Sequence, residues 1–502
     1  MVSALRASLA GRNHDVLEVA RTGDRPNSSR ESAPRHLRFL TVLCWIALAA
    51  WAALVLVDVA LHDFRTQPLA GDTASYLMQA VSASAGDHRL EFDAQDLERW
   101  KSLDWTDEPV GMFYQRYDDG AYGLAKPYGY SVFAASFIGL LGAVRGVAVA
   151  NAVLLGLLIG TSILLLRTRF SGPVVPIAVA GLYLASYTYL YAYWTHSELF
   201  LALVTLVALL GIVRFAQTGA VGWALLAFAV IGFGVSEKAA FVALFTPLAV
   251  VALWRATRWR DRLAMAAAGL GVLAVAVLPY LHYSDWESIT PYGGADREYV
   301  AFATPFAGGT TGFIESGGVD EARLWEDLRG PVSDKALAAS YMLVGRHTGL
   351  LVFMPLALLL ILIGVTRFPR ADAWGRAALL GVVLYLAFYA VLFPTNYFGG
   401  GQSLGNRYFL QAAPAVLALA VLVGLDRRAF LAASLLGAAL GLLLLWPHHE
   451  EPASAHVYLE RTSTLQRLLP FESNQETSSY FRCERYVVRN ITVCDAAAAE
   501  GK

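Results

Sequence analysis

Long apolar runs separated by short basic links set the rhythm of the chain. The first runs from Phe39 to Leu61, and others fall at 149–166, 174–193, 196–213, 221–236, 238–254, 263–281, 348–366, 375–393, 409–425 and 429–446. A hydrocarbon core takes about 20 mostly apolar residues in helix. Helix is the expected spanning form because backbone groups stay paired within it. The pattern predicts an all-α polytopic membrane protein of about 11 transmembrane helices. The first run is longer than a signal-peptide core and lacks a small-residue cleavage pattern, so it is expected to be a retained helix. One further stretch, Tyr128 to Val144, is apolar but upsets the parity of crossings. It is expected to be a re-entrant or interfacial helix, or the outer half of one long bent helix.

Arginines give the direction. They crowd the segment before the first run (Arg6 to Arg38) and the links at Arg167/Arg169, Arg255/Arg258/Arg260/Arg262, Arg367/Arg370/Arg376 and Arg427/Arg428. Placing these in the cytoplasm puts the N-terminus inside and the C-terminus outside. Two long segments, 62–128 and 282–345, then face outward as loops. They carry twelve Asp/Glu against six Lys/Arg and ten against four, so the outer side is acidic. The domain plan is a disordered cytoplasmic tail at 1–38, a membrane domain at 39–446 with its two outer loops, and a short outer tail at 447–502.

Composition narrows the class further. Of 502 residues, 56% are hydrophobic and 16% charged, with a net charge of −1. That excludes a disordered chain, a disulfide scaffold and an ordinary nucleic-acid binder. Cys483 and Cys494 enclose ten residues of the tail. Outside the cell they are a candidate disulfide; the alternative is a pair of free thiols on a cytoplasmic tail.

Ionisable residues near membrane depth are costly and suggest function. Asp72 stands in Gly-Asp-Thr just beyond the first helix. It suits an N-cap of the next helix, a general base for an acceptor hydroxyl or amine, or a ligand of a divalent cation bound to phosphate. Lysine is scarce, five against 34 arginines, yet Lys126 and Lys238 both fall at the predicted outer face. Snorkelling accounts for a lysine there, and a lipid phosphate is the alternative. His196 and Glu198, in Trp-Thr-His-Ser-Glu, suit a polar substrate site. Their two-residue spacing does not put both on one helix face, which gives a shared metal little support. Arg407 follows a glycine-rich stretch and Asn406, where it suits bidentate phosphate binding. Arg346, Tyr76 and Tyr128 complete the predicted cavity lining.

These features, in this order, resemble the C superfamily of membrane glycosyltransferases, which use polyprenyl-phosphate sugars. Protein O-mannosyltransferases and the aminoarabinose transferases that modify lipid A share the layout. The resemblance rests on an acidic residue early in the first outer loop, here Asp72, and a Lys-Pro at its end, here Lys126-Pro127. A second large outer loop follows the seventh crossing. Gly-Asp-Thr replaces the paired Asp-Glu of the protein mannosyltransferases, which argues against that exact activity.

The resemblance implies an inverting transfer of sugar from a polyprenyl-phosphate donor to an envelope acceptor (glycan, lipid or protein). The reaction is expected at the outer face of a bacterial inner membrane. Asp72 is the expected catalytic residue, with Lys126, Arg407 and Lys238 on the donor phosphate. The partners are membrane lipid, the donor and an unidentified acceptor, with no nucleic acid. No cofactor is assigned with certainty, and a divalent cation is possible because members of the superfamily differ on this point. The alternative is a transporter or flippase of lipid-linked sugars. Transporters place polar groups at the bilayer midplane on broken helices, whereas the charges here sit at the outer ends of the runs.

Overall fold

A computed structural model describes residues 35–66, 71–87, 122–283, 328–399, 405–445, 465–470 and 472, together with short pieces at 91–92, 95, 98–99, 102–103, 112–116, 297–300 and 313–314. Each of the eleven apolar runs contains helix. Among the described residues, six helices are long and apolar enough to cross a membrane, or seven if one bent pair counts as a span. The six are α1 (Arg35–Leu61), α4 (Ala143–Arg167), α6 (Glu198–Thr218), α9 (Trp259–Tyr283), α13 (Ala373–Leu392) and α16 (Arg427–Leu445). The chain is a multi-pass membrane protein. Phe39, Ile46, Leu54 and Leu61 stand exposed along α1, as a lipid-facing helix requires.

The expected count of about 11 exceeds what length supports, for two reasons. Helices α7 (Val221–Glu237) and α8 (Phe241–Arg255) have 17 and 15 residues. Other runs are broken. The stretch α5 (Val174–Leu184) bends by 54° into a 3-10 turn at Tyr187–Tyr193. Proline breaks two more, because it donates no hydrogen bond and disfavours helix in the residue before it. After α10 (Val332–Val344), Pro355 separates α11 (Leu350–Phe353) from α12 (Pro355–Arg367), and Met354 takes φ −150°. Pro414 separates α14 (Arg407–Ala412) from α15 (Ala415–Leu422).

The ambiguous stretch is a separate 13-residue helix, α3 (Gly129–Leu141). It is too short for a full crossing. It does not continue into α4 as one bent helix. Gly142 turns the backbone at φ 81°, and a Cβ on Gly146 would lie 2.6 Å from the amide nitrogen of Ile138.

Small residues set how closely the helices pack. A side chain at Gly232 of α7 would run into the carbonyl of Gly269 on α9, and one at Gly381 of α13 into the carbonyl of Leu244 on α8. Such contacts are typical where helices associate by close packing.

The all-α expectation needs correction. The two long loops together form an antiparallel sheet ordered β1-β3-β2-β4-β5. Its strands are Glu91–Phe92 (β1), Met112–Arg116 (β2), Tyr122–Leu124 (β3), Arg297–Val300 (β4) and Phe313–Ile314 (β5). Met112 pairs with Val300 and Tyr114 with Glu298, so the first loop is stitched to the second. The sheet is fastened to α2 (Asp72–Ser84), where the Phe113 amide donates to Ser75 Oγ at 3.0 Å.

The charge sorting along the sequence becomes a sorting by ends. Asp426 pairs with Arg367 at 3.2 Å, while Arg427 lies against Gly172 and Arg169 against Gly424, so these basic links share one end. The residues singled out at 72, 126, 196, 198 and 407 gather elsewhere, beside the sheet. Cys483, Cys494, residues 1–34 of the predicted 1–38 tail and most of 447–502 lie outside the described residues, while 35–38 belong to α1.

Candidate active site

Three chain segments deliver the central charges. Gly71, at φ 58°, makes the turn that starts α2, and Asp72 is the first residue of that helix. The predicted cap does not form: the Asp72 side chain makes no capping bond and turns to two cations instead. Strand β3 leads directly to Lys126, whose preceding amide, that of Ala125, donates to Phe113 O at 3.1 Å. Gln79 Nε2 donates to the Lys126 carbonyl at 3.2 Å, and the ammonium lies 4.2 Å above the Phe113 ring. Arg407 opens α14; Asn406 Oδ1 accepts from the Phe409 amide at 3.0 Å to cap it. The Arg407 amide itself donates to Phe398 O at 2.9 Å.

Lys126 Nζ pairs with Asp72 Oδ1, and Arg407 Nη1 donates to Asp72 Oδ2 at 2.7 Å. On its other side, Arg407 Nε lies 3.3 Å from Glu198 Oε1. The side chains of Asp72 and Arg407 are 15% and 13% exposed, so solvent screens this network little. Burial pushes the Asp72 carboxyl up, but the Lys126 and Arg407 charges outweigh it and hold it well below the usual carboxylate range. Asp72 and Glu198 each begin a helix, where a carboxylate complements the positive end of the dipole. Arg407 also begins a helix, an unfavourable place for a cation, and the two carboxylates offset that cost.

His196 and Glu198 do meet, contrary to the helix-face argument from their spacing. His196 precedes α6, in the irregular lead-in after Trp194, and Glu198 is the first residue of the helix. His196 Nδ1 and Glu198 Oε2 lie 2.7 Å apart, off the line of a well-formed hydrogen bond. His196 Nε2 lies 3.3 Å from Arg407 Nη1. Tyr76 flanks the pair, its ring 5.9 Å from the imidazole and its hydroxyl accepting from Ser197 Oγ at 2.9 Å.

Lys238 reaches the same neighbourhood through an aromatic ring. Its ammonium lies 4.4 Å from the Tyr408 ring centre, which Arg407 also approaches at 5.7 Å. Tyr389 stacks on Tyr408 with centroids 4.3 Å apart. Three basic side chains (Lys126, Arg407, Lys238) thus lie around two carboxylates, Asp72 and Glu198, with a further buried carboxyl, Glu237, next to Lys238.

Other predicted residues have different places. Tyr128 is fastened to α9: its amide donates to Tyr280 Oη at 3.2 Å and its hydroxyl to the Ala276 carbonyl at 3.0 Å. Arg346 holds the C-terminal segment, donating from Nη2 to the carbonyls of Arg467 at 2.8 Å and Leu469 at 3.2 Å. Its partners are backbone carbonyls, which a cation satisfies as well as it would a phosphate. Glu472 completes that attachment, with Oε1 accepting from the His347 and Thr348 amides at 2.7 and 2.9 Å.

Sequence reasoning passed over Phe113, Tyr408, Gln79 and Glu237. Glu237 stands beside Lys238 and accepts from the Gly129 amide at 3.1 Å, so it anchors the start of α3. The adjacency of a Glu and a Lys between two apolar runs was the available signal.

Among the described residues, no three His, Cys, Asp or Glu side chains converge as a metal site. Both Asp72 oxygens are already taken by cations, so this donor set does not fit a divalent cation, and no step is routed through one.

No protein-family model matches the chain, and no curated protein does. Among solved structures, it is similar to the crystal structure of ArnT from Cupriavidus metallidurans bound to undecaprenyl phosphate, with a TM-score of 0.45 and 16% identity. The match covers 80% of this chain and 64% of that one, so the chain spans less than two thirds of that protein's length.

Proposed function

We propose that the chain is a glycosyltransferase that moves a sugar from a polyprenyl-phosphate donor to an envelope acceptor, at the side of the membrane where the paired loops lie. The observation that carries this reading is the half-closed charge cluster of Asp72, Lys126, Arg407 and Glu198. Its basic side chains, Lys126 and Arg407 with Lys238 beside them, are of the kind that holds a phosphodiester donor. Lys126 and Arg407 bind the donor phosphate and stabilise the charge that gathers on it as it leaves. Asp72 orients the acceptor hydroxyl or amine by accepting its hydrogen bond. The acceptor oxygen or nitrogen bonds to the anomeric carbon as the carbon–oxygen bond to phosphate breaks. Its electron pair stays on the phosphate, and the anomeric centre inverts.

The positive-inside pattern assigns the loop side to the exterior and gives eleven crossings, with the shorter and broken helices completing the set. The basic links gathered at the opposite end support that direction. The reading is tested in cells lacking the protein. A polyprenyl-phosphate sugar accumulating on the outer leaflet supports a transferase, and accumulation on the inner leaflet supports a flippase. No accumulation of any lipid-linked sugar rejects both.

A further inference from the structure

The transfer releases one proton from the acceptor, and the site must take it. Asp72 is a weak base for this, because the cations on both of its oxygens hold its carboxyl well below the usual carboxylate range. A carboxylate so paired gains a proton only when a cation withdraws.

A second basic atom lies against the same guanidinium nitrogen. Arg407 Nη1 stands 2.7 Å from Asp72 Oδ2 and 3.3 Å from His196 Nε2. Arginine donates and never accepts. The contact therefore favours one tautomer: Nε2 carries the lone pair, and the ring proton sits on Nδ1, which lies 2.7 Å from Glu198 Oε2, close enough for its charge to support the ring although off the line of a well-formed hydrogen bond. An imidazole backed by a carboxylate on one nitrogen and presenting a lone pair on the other is arranged as a general base. Both basic atoms are covered by one nitrogen of one side chain. That side chain is also the one the donor phosphate would draw away.

We propose that His196 is the proton acceptor of the transfer, with Glu198 supporting the imidazolium, and that Arg407 covers its Nε2 until the donor phosphate takes the guanidinium. The proposal rests on the glycosyltransferase reading of the site. The acceptor's O–H or N–H bond breaks as its bond to the anomeric carbon forms, and the proton passes to Nε2. The electron pair of the broken glycosyl bond goes to the phosphate. Donor binding thereby uncovers the base, so a hydroxyl or water arriving before the donor meets a covered one. The charged groups facing the imidazole are Glu198, Arg407 and, across the guanidinium, Asp72 with its partner Lys126. The Tyr76 hydroxyl near the ring is held by Ser197.

The test uses the full chain in lipid nanodiscs, histidine nitrogen NMR, and farnesyl methyl phosphate as a non-transferable diester probe. The His196 signals are assigned by their loss in His196→Gln. Without the probe, His196 is expected to be neutral and protonated on Nδ1. A saturating probe is expected to shift the Nε2 signal, because the Arg407 guanidinium leaves that nitrogen. A ring protonated on Nε2 without the probe, or an Nε2 signal unmoved by bound probe, overturns the proposal while leaving the phosphate site standing. Failure of the probe to bind, read by tryptophan fluorescence, overturns the reading beneath it. In turnover of a polyprenyl-phosphate sugar, His196→Ala is expected to slow transfer about 100-fold, with probe affinity held within about twofold. Imidazole added to that variant should restore part of the rate. A rate close to wild type, or a loss that imidazole does not relieve, contradicts the assignment.

Discussion

Arg407 is the most informative side chain to remove, because it touches both carboxylates of the site. Its Nη1 lies 2.7 Å from Asp72 and its Nε 3.3 Å from Glu198. Arg407→Met leaves two buried carboxylates with one fewer cation, and breaking a buried pair from one side costs about 3–5 kcal/mol. Asp72→Asn alone costs a similar amount, since it leaves Lys126 and Arg407 close together without their shared anion. The double variant restores the net charge of the wild type, so its cost should fall short of the sum. One charge-assisted hydrogen bond sets that shortfall at about 1.5–3 kcal/mol. The cycle is measured by SDS-induced unfolding in mixed micelles, followed by tryptophan fluorescence. An exposed pair, Arg367 and Asp426 at 38% and 55% side-chain exposure, serves as the control and should show no resolvable coupling. Additivity at Asp72 and Arg407 within about 0.5 kcal/mol would refute the account of the site as a coupled network.

Three further outcomes are expected. Because the folded Asp72 carboxyl is held below its unfolded value of about 3.9, its ion pairs contribute fully above that pH and fade as pH falls through the folded value. Melts of wild type and Asp72→Asn should therefore differ by a constant gap from pH 7 to 5 that closes only below about pH 4; closure between pH 7 and 6 would assign the effect to another group. Gly399 has φ 106°, and a Cβ there would lie 2.7 Å from Arg407 Nε, so Gly399→Ala should displace the guanidinium and weaken farnesyl methyl phosphate binding about tenfold or more. Unchanged affinity in that variant would remove Arg407 from the phosphate site. Glu472→Ala strands the His347 and Thr348 amides at a cost of about 1–3 kcal/mol and should speed proteolysis of the C-terminal segment, whereas Glu472→Gln keeps an acceptor and should resemble wild type. Equal proteolysis of all three proteins would show that Glu472 does not hold that segment.

The helical runs were legible because a membrane span depends on length and apolarity, which need no tertiary information. Breaks were less so. Pro355 and Pro414 are visible punctuation, but the bend after Leu184 depends on packing: a side chain at Gly441 of α16 would run into the Ala185 carbonyl. The sheet was invisible because its strands are two to five residues long, and its central pairing joins residues far apart in the chain. Arg346 shows the same limit: nothing near it in sequence announces that its Nη2 donates to the carbonyls of Arg467 and Leu469.

His196 and Glu198 show where a spacing argument fails. Residues two apart diverge on a helix, and the inference held only if both were helical. His196 is not: its amide donates to the Trp194 carbonyl at 3.0 Å, and the helix begins at Glu198. That irregular lead-in lets the imidazole fold back over the first helical residue. Helix starts are also where the chain places Asp72 and Arg407, so each of the three charges lies at the junction of a rigid element and a turn. The rigid side fixes the backbone. The turn side, Gly71 for Asp72 and Gly405 for Arg407, both at positive φ, frees the approach to a ligand. A charge cluster built at such junctions can exchange partners without moving a helix, as the proposed exchange of an internal ion pair for a donor phosphate requires.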